Sequence, residues 1–213
     1  MGSDRSNGGF MIKICGITNR DDALEAVDSG ADTLGFNFFK PSPRYINPEV
    51  AARIFEELPE AVRIVSVTVV RAGEVLEELK ELNRQMPQLD MHQLHGLHRA
   101  SEVPAFDKDL LIATSPEEAE LFPEQEILID TSWGRGLKGD WEQFRRLERR
   151  FVLSGGLDPE NVGEAIGRLD PLGVDVCSGV ERSPGLKDRN KVRRFIENVR
   201  KAMNDPGRQE SGE

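Results

Sequence analysis

Short, nearly continuous apolar runs alternate along this chain with longer stretches in which apolar residues return every three or four positions. The first pattern reads as a strand buried on both faces, the second as an amphipathic helix. Met11 to Cys15 is the first strand. A helix capped by Thr18 or Asn19 follows, with Ala23, Leu24, Ala26 and Val27 on its apolar face, and Gly30 ends it. Asp32 to Phe38 is the second strand, and Asn47-Pro48-Glu49 opens a helix carrying Val50, Ile54, Phe55 and Leu58. Val62 to Val69 is strand, Gly73 to Asn83 helix with Val75, Leu76, Leu79 and Leu82 inward, and Leu89 to Leu94 strand. The next two units are short: a weak helix near Ser101 to Phe106 completes the fourth, and a strand at Leu110 to Ala113 with a brief helix from Ser115-Pro116 makes the fifth. Glu126 to Asp130, Phe151 to Leu153 and Val174 to Val176 are the last three strands. Trp141 to Arg149, Asn161 to Leu169 and Arg189 to Met203 are the last three helices, the final one presenting Val192, Phe195, Ile196 and Val199 on one side.

Strand and helix alternating eight times between Met11 and Met203 predict a parallel sheet covered by helices, closed as a single (β/α)8 TIM barrel over residues 11–203. An open doubly wound sheet is the alternative. It would more often place a glycine fingerprint after the first strand, where this chain has Cys15-Gly16-Ile17-Thr18. Residues 1–10, rich in Gly, Ser and Asn, read as an extension outside the fold, and residues 204–213 as a polar C-terminal tail.

Composition narrows the class. With 213 residues, 38% of them hydrophobic, the chain can bury a large core. A net charge of −10 argues against a nucleic-acid binder, because phosphate backbones are held mainly by Lys and Arg. No apolar run has the length of a membrane span, and the N-terminus lacks a signal peptide's apolar stretch, so a cytoplasmic protein is expected. The two cysteines, Cys15 and Cys177, are far apart and lack metal-ligand spacing, which fits a reducing compartment and leaves both thiols available for chemistry.

In a barrel the chemistry belongs at the C-terminal strand ends. The segment Phe151 to Val162 reads as strand, glycine turn and helix, with Asp158 as N-cap and Pro159 in the first turn. Gly155 and Gly156 there let backbone N–H groups approach an anion. One unit later Ser178-Gly179 ends the eighth strand in the same manner, so two consecutive strand ends offer N–H groups to one phosphate. The reactive side chains at the other strand ends are Cys15, Arg44, His95 and Asp130. Cys15 precedes a helix N-terminus, which favours a thiolate, though a small buried filler is the bland alternative. Asp130 ends an apolar strand as a helix cap, a paired structural charge or an acid with a raised pKa. Arg44 sits on a loop stiffened by two prolines, suited to gripping a carboxylate, although a plain surface arginine is commoner. His95 is either a ligand contact or a satisfied polar group. Gly134-Arg135-Gly136 beside Trp133 reads as a mobile lid.

Taken together, Lys13-Ile14-Cys15-Gly16-Ile17-Thr18, Ser42-Pro43-Arg44-Tyr45-Ile46, Gln93-Leu94-His95-Gly96, Ile129-Asp130-Thr131, Leu153-Ser154-Gly155-Gly156-Leu157 and Ser178-Gly179-Val180-Glu181 resemble the phosphoribosylanthranilate isomerases of tryptophan biosynthesis. The resemblance runs from Met11 to about Arg200. It implies an Amadori rearrangement of N-(5-phosphoribosyl)anthranilate, with Asp130 as the general acid on the ribose ring oxygen and Cys15 as the general base at C2′. It further implies Arg44 on the anthranilate carboxylate and the two glycine turns on the phosphate. No metal or organic cofactor is implied, because the imine formed within the substrate is the electron sink. The partner implied is a small phosphorylated substrate, with no nucleic acid and no membrane, and the chain is expected to be a monomer or homodimer. Three features depart from the family: strand five lacks its usual lysine, the loop Ser132 to Trp141 is compact, and Cys177 replaces the first serine after strand eight. A histidine-pathway or bifunctional phosphoribosyl isomerase is a weaker fit, since its chemistry uses a carboxylate where Cys15 stands. A non-catalytic sugar-phosphate-binding barrel is disfavoured by the presence of both Cys15 and Asp130. In a closed barrel Cys15 and Cys177 are also expected side by side, within disulfide reach as far as strand spacing goes.

Overall fold

In the computed structural model, which describes residues 9–71, 73–130, 144, 147 and 149–205, eight parallel strands form a closed barrel in sequential order. They are β1 (Met11–Cys15), β2 (Thr33–Asn37), β3 (Arg63–Val69), β4 (Met91–His95), β5 (Asp109–Thr114), β6 (Glu126–Asp130), β7 (Val152–Ser154) and β8 (Gly173–Val176). Closure is made by β1 on β8, with Lys13 level with Asp175 and Ile14 level with Val176. Around the barrel lie α1 (Arg20–Ser29), α2 (Pro48–Phe55), α3 (Val75–Gln85), α4 (Val162–Leu169) and α5 (Arg189–Met203). A small antiparallel pair, β9 (Glu181–Ser183) and β10 (Leu186–Lys187), folds back after β8.

The helix ends follow their local chemistry. Asn19 accepts a hydrogen bond from Asp22 N at 2.9 Å, which caps α1, and Gly30, at φ +106°, closes it by donating to the carbonyls of Ala26 and Val27. Asn47 caps α2 ahead of Pro48. The inward stripe of α2 is Ala51, Ile54 and Phe55, whereas Val50 is 46% exposed. Spacing explains this: Ala51, Ile54 and Phe55 are three and four apart and share one face, and Val50 lies on its outer fringe. In α3 the buried residues are Val75, Leu79 and Leu82, with Leu76 only half-buried. The weak helices expected in the fourth and fifth units are 3₁₀ turns, Ala100–Glu102 and Pro116–Leu121. Asp158 does not cap α4 itself. Its carboxylate accepts from Glu160 N and Asn161 N, each at 2.9 Å, closing a turn that leads into the helix at Val162, one residue after the expected start. The helix expected over Trp141 to Arg149, the glycine loop before it, the extension over residues 1–8 and the tail from 206 lie outside the described residues. Phe10 packs against the core.

Alternation along the strands divides the core in two. Ile12, Ile14, Leu34, Ile64, Leu94, Ile112, Ile127, Leu153 and Val174 face the helices, while Met11, Val65, Met91, Leu111, Leu128 and Val152 fill the lower barrel interior. The same inward rows continue upward as Lys13, Cys15, Gln93, His95, Asp130, Ser154 and Asp175, so the barrel is apolar at its base and polar at its rim.

His92 faces the helical layer. It is fully buried, with Nδ1 2.6 Å from Ser66 Oγ and Nε2 3.0 Å from Asn83 Oδ1, and it stands edge-on to Phe106. Burial, aided by Lys108, holds its pKa down at about 4. A depressed histidine contributes stability that is complete above the unfolded pKa near 6.5 and is lost as pH falls from there toward 4, roughly 2–3 kcal/mol at most. We predict that urea midpoints at pH 7 and pH 4.5 will differ less for His92→Gln than for the parent. Equal losses in the two proteins would assign the acid sensitivity elsewhere.

Candidate active site

At the C-terminal rim a cavity of about 210 Å³ is bordered by Cys15, Arg44, His95, Asp130, the Ser154-Gly155-Gly156 turn and Ser178. A larger concavity of about 760 Å³ lies at the opposite end of the strands, among Phe55, Pro59, Pro87 and Asp90, but it gathers no cysteine, serine or histidine. The smaller cavity therefore holds the chemistry.

Cys15 closes β1, and Gly16 turns the chain away at φ +72°. A side chain at Gly16 would press to 2.8 Å from both Cys177 Sγ and the Arg44 side chain, so glycine is needed for the rim to close here. The Cys177 thiol lies against the Cys15 sulfur. That neighbour and the Lys13 ammonium outweigh burial, which opposes ionisation, and bring the Cys15 thiol down to about 7. Cys177 is pushed in the other direction, by its nearness to Cys15 and by burial. The expected adjacency of the two cysteines is present, and both thiols are free.

Arg44 is bound in a fork: Nε donates to Glu181 Oε1 at 2.9 Å and Nη2 to Oε2 at 2.7 Å. Lys187 Nζ joins the same carboxylate at 3.0 Å. Burial would raise the pKa of Glu181, but these two cations hold it below the usual carboxylate range. His95 is neutral, its pKa lowered chiefly by burial. Its Nε2 lies 2.9 Å from Gln93 Nε2, an arrangement in which the amide donates and the ring nitrogen accepts. Gln93 Oε1 is buried with no partner among the described residues, an acceptor that a ligand hydroxyl or amine would satisfy. Asp130 ends β6 and faces the same cavity.

Gly155 and Gly156 both take left-handed backbone, at φ +87° and +66°. Asn161 steadies that turn by donating to Gly156 O at 2.9 Å and accepting from Asp158 N at 2.9 Å. Ser178 borders the cavity. Gly179 has a packing role as well, since a Cβ there would lie 1.9 Å from Leu157 O, and its bareness lets the two turns sit against each other. Sequence reasoning passed over Lys13, Asp175, Glu181 and Lys187. The readable signal was one charge set in each of two apolar strands, Lys13 in MIKIC and Asp175 in GVDV. Among the described residues no His, Cys, Asp and Glu cluster is arranged to hold a metal ion, and no helix is long and apolar enough to cross a membrane.

A thiol and a carboxyl facing one small cavity, closed on one side by glycine turns after the seventh and eighth strands, define a (β/α)8-barrel enzyme of sugar-phosphate chemistry. Comparison with known proteins makes the class particular. The family described as N-(5'phosphoribosyl)anthranilate (PRA) isomerase matches residues 12–198. The N-(5'-phosphoribosyl)anthranilate isomerase of Geobacter sp. (strain M21) is 43% identical over 205 residues, covering 89% of this chain and 98% of that protein. The crystal structure of phosphoribosyl anthranilate isomerase from Thermotoga maritima superposes with a TM-score of 0.80 at 39% identity, covering 90% of this chain and 99% of that one. A structure of the isomerase in complex with reduced 1-(o-carboxyphenylamino)-1-deoxyribulose 5-phosphate gives a TM-score of 0.78 at 39% identity, with the same coverage. The chain belongs to the PRA isomerase family.

Two glycines separate packing from propensity. Gly179→Ala should destabilise the fold by on the order of 2–3 kcal/mol, because backbone must move to admit the methyl group. Gly167→Ala, in α4 with open space around it, should stabilise by about 1 kcal/mol. Denaturant melts of the two variants test the pair, and a neutral Gly179→Ala would mean that the turns are not in contact.

Proposed function

We propose that Cys15 and Asp130 are the base and the acid with which this chain carries out its family's isomerisation, and that Arg44 and the two glycine turns hold the ends of the substrate. The observation that carries the reading is the cavity itself: a buried thiol poised near neutrality and a carboxyl face the same 210 Å³ space, bounded by the Gly155-Gly156 turn and Ser178. The phosphate is held at the turns by backbone N–H groups. The anthranilate carboxylate is held by Arg44, whose guanidinium plane is fixed by Glu181 through two of its five donors. Asp130 protonates the ribose ring oxygen, the C1′–O bond opens, and the anilino nitrogen becomes an iminium. The Cys15 thiolate then removes the C2′ proton. The electron pair of that C–H bond becomes the C1′–C2′ double bond and the iminium π pair returns to nitrogen, giving an enolamine that tautomerises to the ketose. A base near pKa 7 suits this step, since it is ionised at neutral pH and basic enough to take the proton. A reduced thiol as base and a phosphorylated substrate both suit the cytoplasm.

Cys15→Ser and Asp130→Asn should each lower kcat by at least about 10²-fold while leaving inorganic phosphate affinity nearly unchanged. Turnover can be followed by the fluorescence decay of freshly prepared N-(5-phosphoribosyl)anthranilate, and near-normal rates in either variant would remove that residue from the mechanism. Arg44→Ala should weaken carboxylate-bearing anthranilate ligands far more than ribose 5-phosphate. Equal weakening of both in calorimetric titrations would assign Arg44 to the phosphate or to structure.

A further inference from the structure

Lys13 is an ammonium group deep inside the barrel, fully buried, on the inward face of β1 two residues before Cys15. Its Nζ donates to Asp175 Oδ1 at 2.7 Å, and the other oxygen of Asp175 accepts from Ser154 Oγ at 2.9 Å. The same ammonium stands near the Cys15 sulfur, close enough for its charge to favour the thiolate. Both groups converge on the bare face of Gly35 in β2, where a Cβ would stand 2.9 Å from Cys15 Sγ and 3.0 Å from Lys13 Nζ. A buried ion pair is a poor stabiliser compared with apolar residues of similar volume, because desolvation consumes most of the attraction. Below it, the interior is filled by Met11, Met91 and Leu128 with no charge needed. The placement of Lys13 thus calls for a reason other than stability, and its contact with Cys15 supplies one.

We infer that Lys13, fixed in place by Asp175 and Ser154, is a positioning residue that holds the Cys15 sulfur as a thiolate directed into the cavity. The inference rests on the reading of Cys15 as the base. The surroundings set the balance of charge. On β1 and β8 the groups facing the sulfur are Lys13, which favours the thiolate, and Asp175, which opposes it. After β8, the neighbouring Cys177 thiol favours the thiolate, and Lys187 adds a cation already engaged by Glu181 at 3.0 Å. Arg44 approaches from the loop after β2 and is likewise bound to Glu181, while His95 and Asp130 border the cavity from β4 and β6. Of the cations, Lys13 acts most strongly on the Cys15 sulfur. The cation–carboxylate–hydroxyl chain keeps that charge from swinging away.

The test reads thiol acidity without substrate. Carboxamidomethylation of Cys15 by iodoacetamide, quantified on its peptide by mass spectrometry, should show a midpoint near pH 7 in the parent. In Lys13→Met the midpoint should rise by at least about one unit, so that alkylation at neutral pH slows at least about fivefold. That variant leaves Asp175 buried without its cation, which endangers folding. The double variant Lys13→Met/Asp175→Asn removes both charges, should fold, and should still show an upward shift, smaller than that of Lys13→Met because Asp175 itself opposes the thiolate. An unchanged midpoint in either folded variant overturns the inference. The acid limb of kcat/KM should move with the alkylation midpoint. If alkylation shifts and the acid limb does not, Lys13 governs the thiol as inferred, and the assignment of Cys15 as base is what fails.

Discussion

The meeting of β1 and β8 is the constraint on which the rest of the molecule depends. Gly173 opens β8 against Met11, and a Cβ there would lie 2.4 Å from Met11 Cβ and 2.6 Å from its carbonyl oxygen, so glycine at this position lets the last strand reach the first. The register that results sets Lys13 level with Asp175 and brings Cys15 beside Cys177. Closure is therefore both the topological event that removes every sheet edge and the chemical event that assembles the acidity of the thiol. A slip of one residue along this seam would turn each of these side chains toward the helices.

Polarity in the interior is graded along the barrel axis. The inward rows start with methionine, valine and leucine and end in lysine, cysteine, glutamine, histidine and aspartate. The lower layers exclude water and bear the packing, which allows the upper layer to hold charged groups at close range, where their interactions are stronger than in bulk solvent. Each of those groups is in turn restrained by another: Asp175 by Ser154, Arg44 by Glu181, and the glycine turn by Asn161.

Much of this architecture is legible in the order of residues alone. The eight apolar runs, the caps at Asn19 and Asn47, and the limits of Glu126–Asp130 and Arg189–Met203 are local properties, and local rules recover them. The rim residues Cys15, Arg44, His95 and Asp130 are legible because a barrel tells the reader where to look. What is not legible depends on long-range contact. Val50 looks like core by hydrophobicity and is exposed, because only the sheet behind α2 decides which stripe is covered. Gly179 reads as a phosphate residue, and its need to admit Leu157 O, a partner 22 positions earlier, is invisible locally. Lys13 and Asp175 each look anomalous alone, and only the closing register explains them together.

The small pair β9–β10 has a consequence for how the rim can vary. Glu181 at its start receives Arg44 and Lys187, Gly185 in its turn donates to Glu181 and accepts from Thr18, and Lys187 N donates to Asp22 in α1. Segments that follow the first, second and eighth strands are thereby fastened through one carboxylate. A barrel is often pictured as a rack of interchangeable loops, each free to drift in sequence on its own. Here three neighbouring loops form a single mortised piece: a substitution that reshapes one must be matched in the other two, since a graft of the segment after β8 would leave Arg44 without its acid and a graft of the loop after β2 would leave Glu181 without its fork.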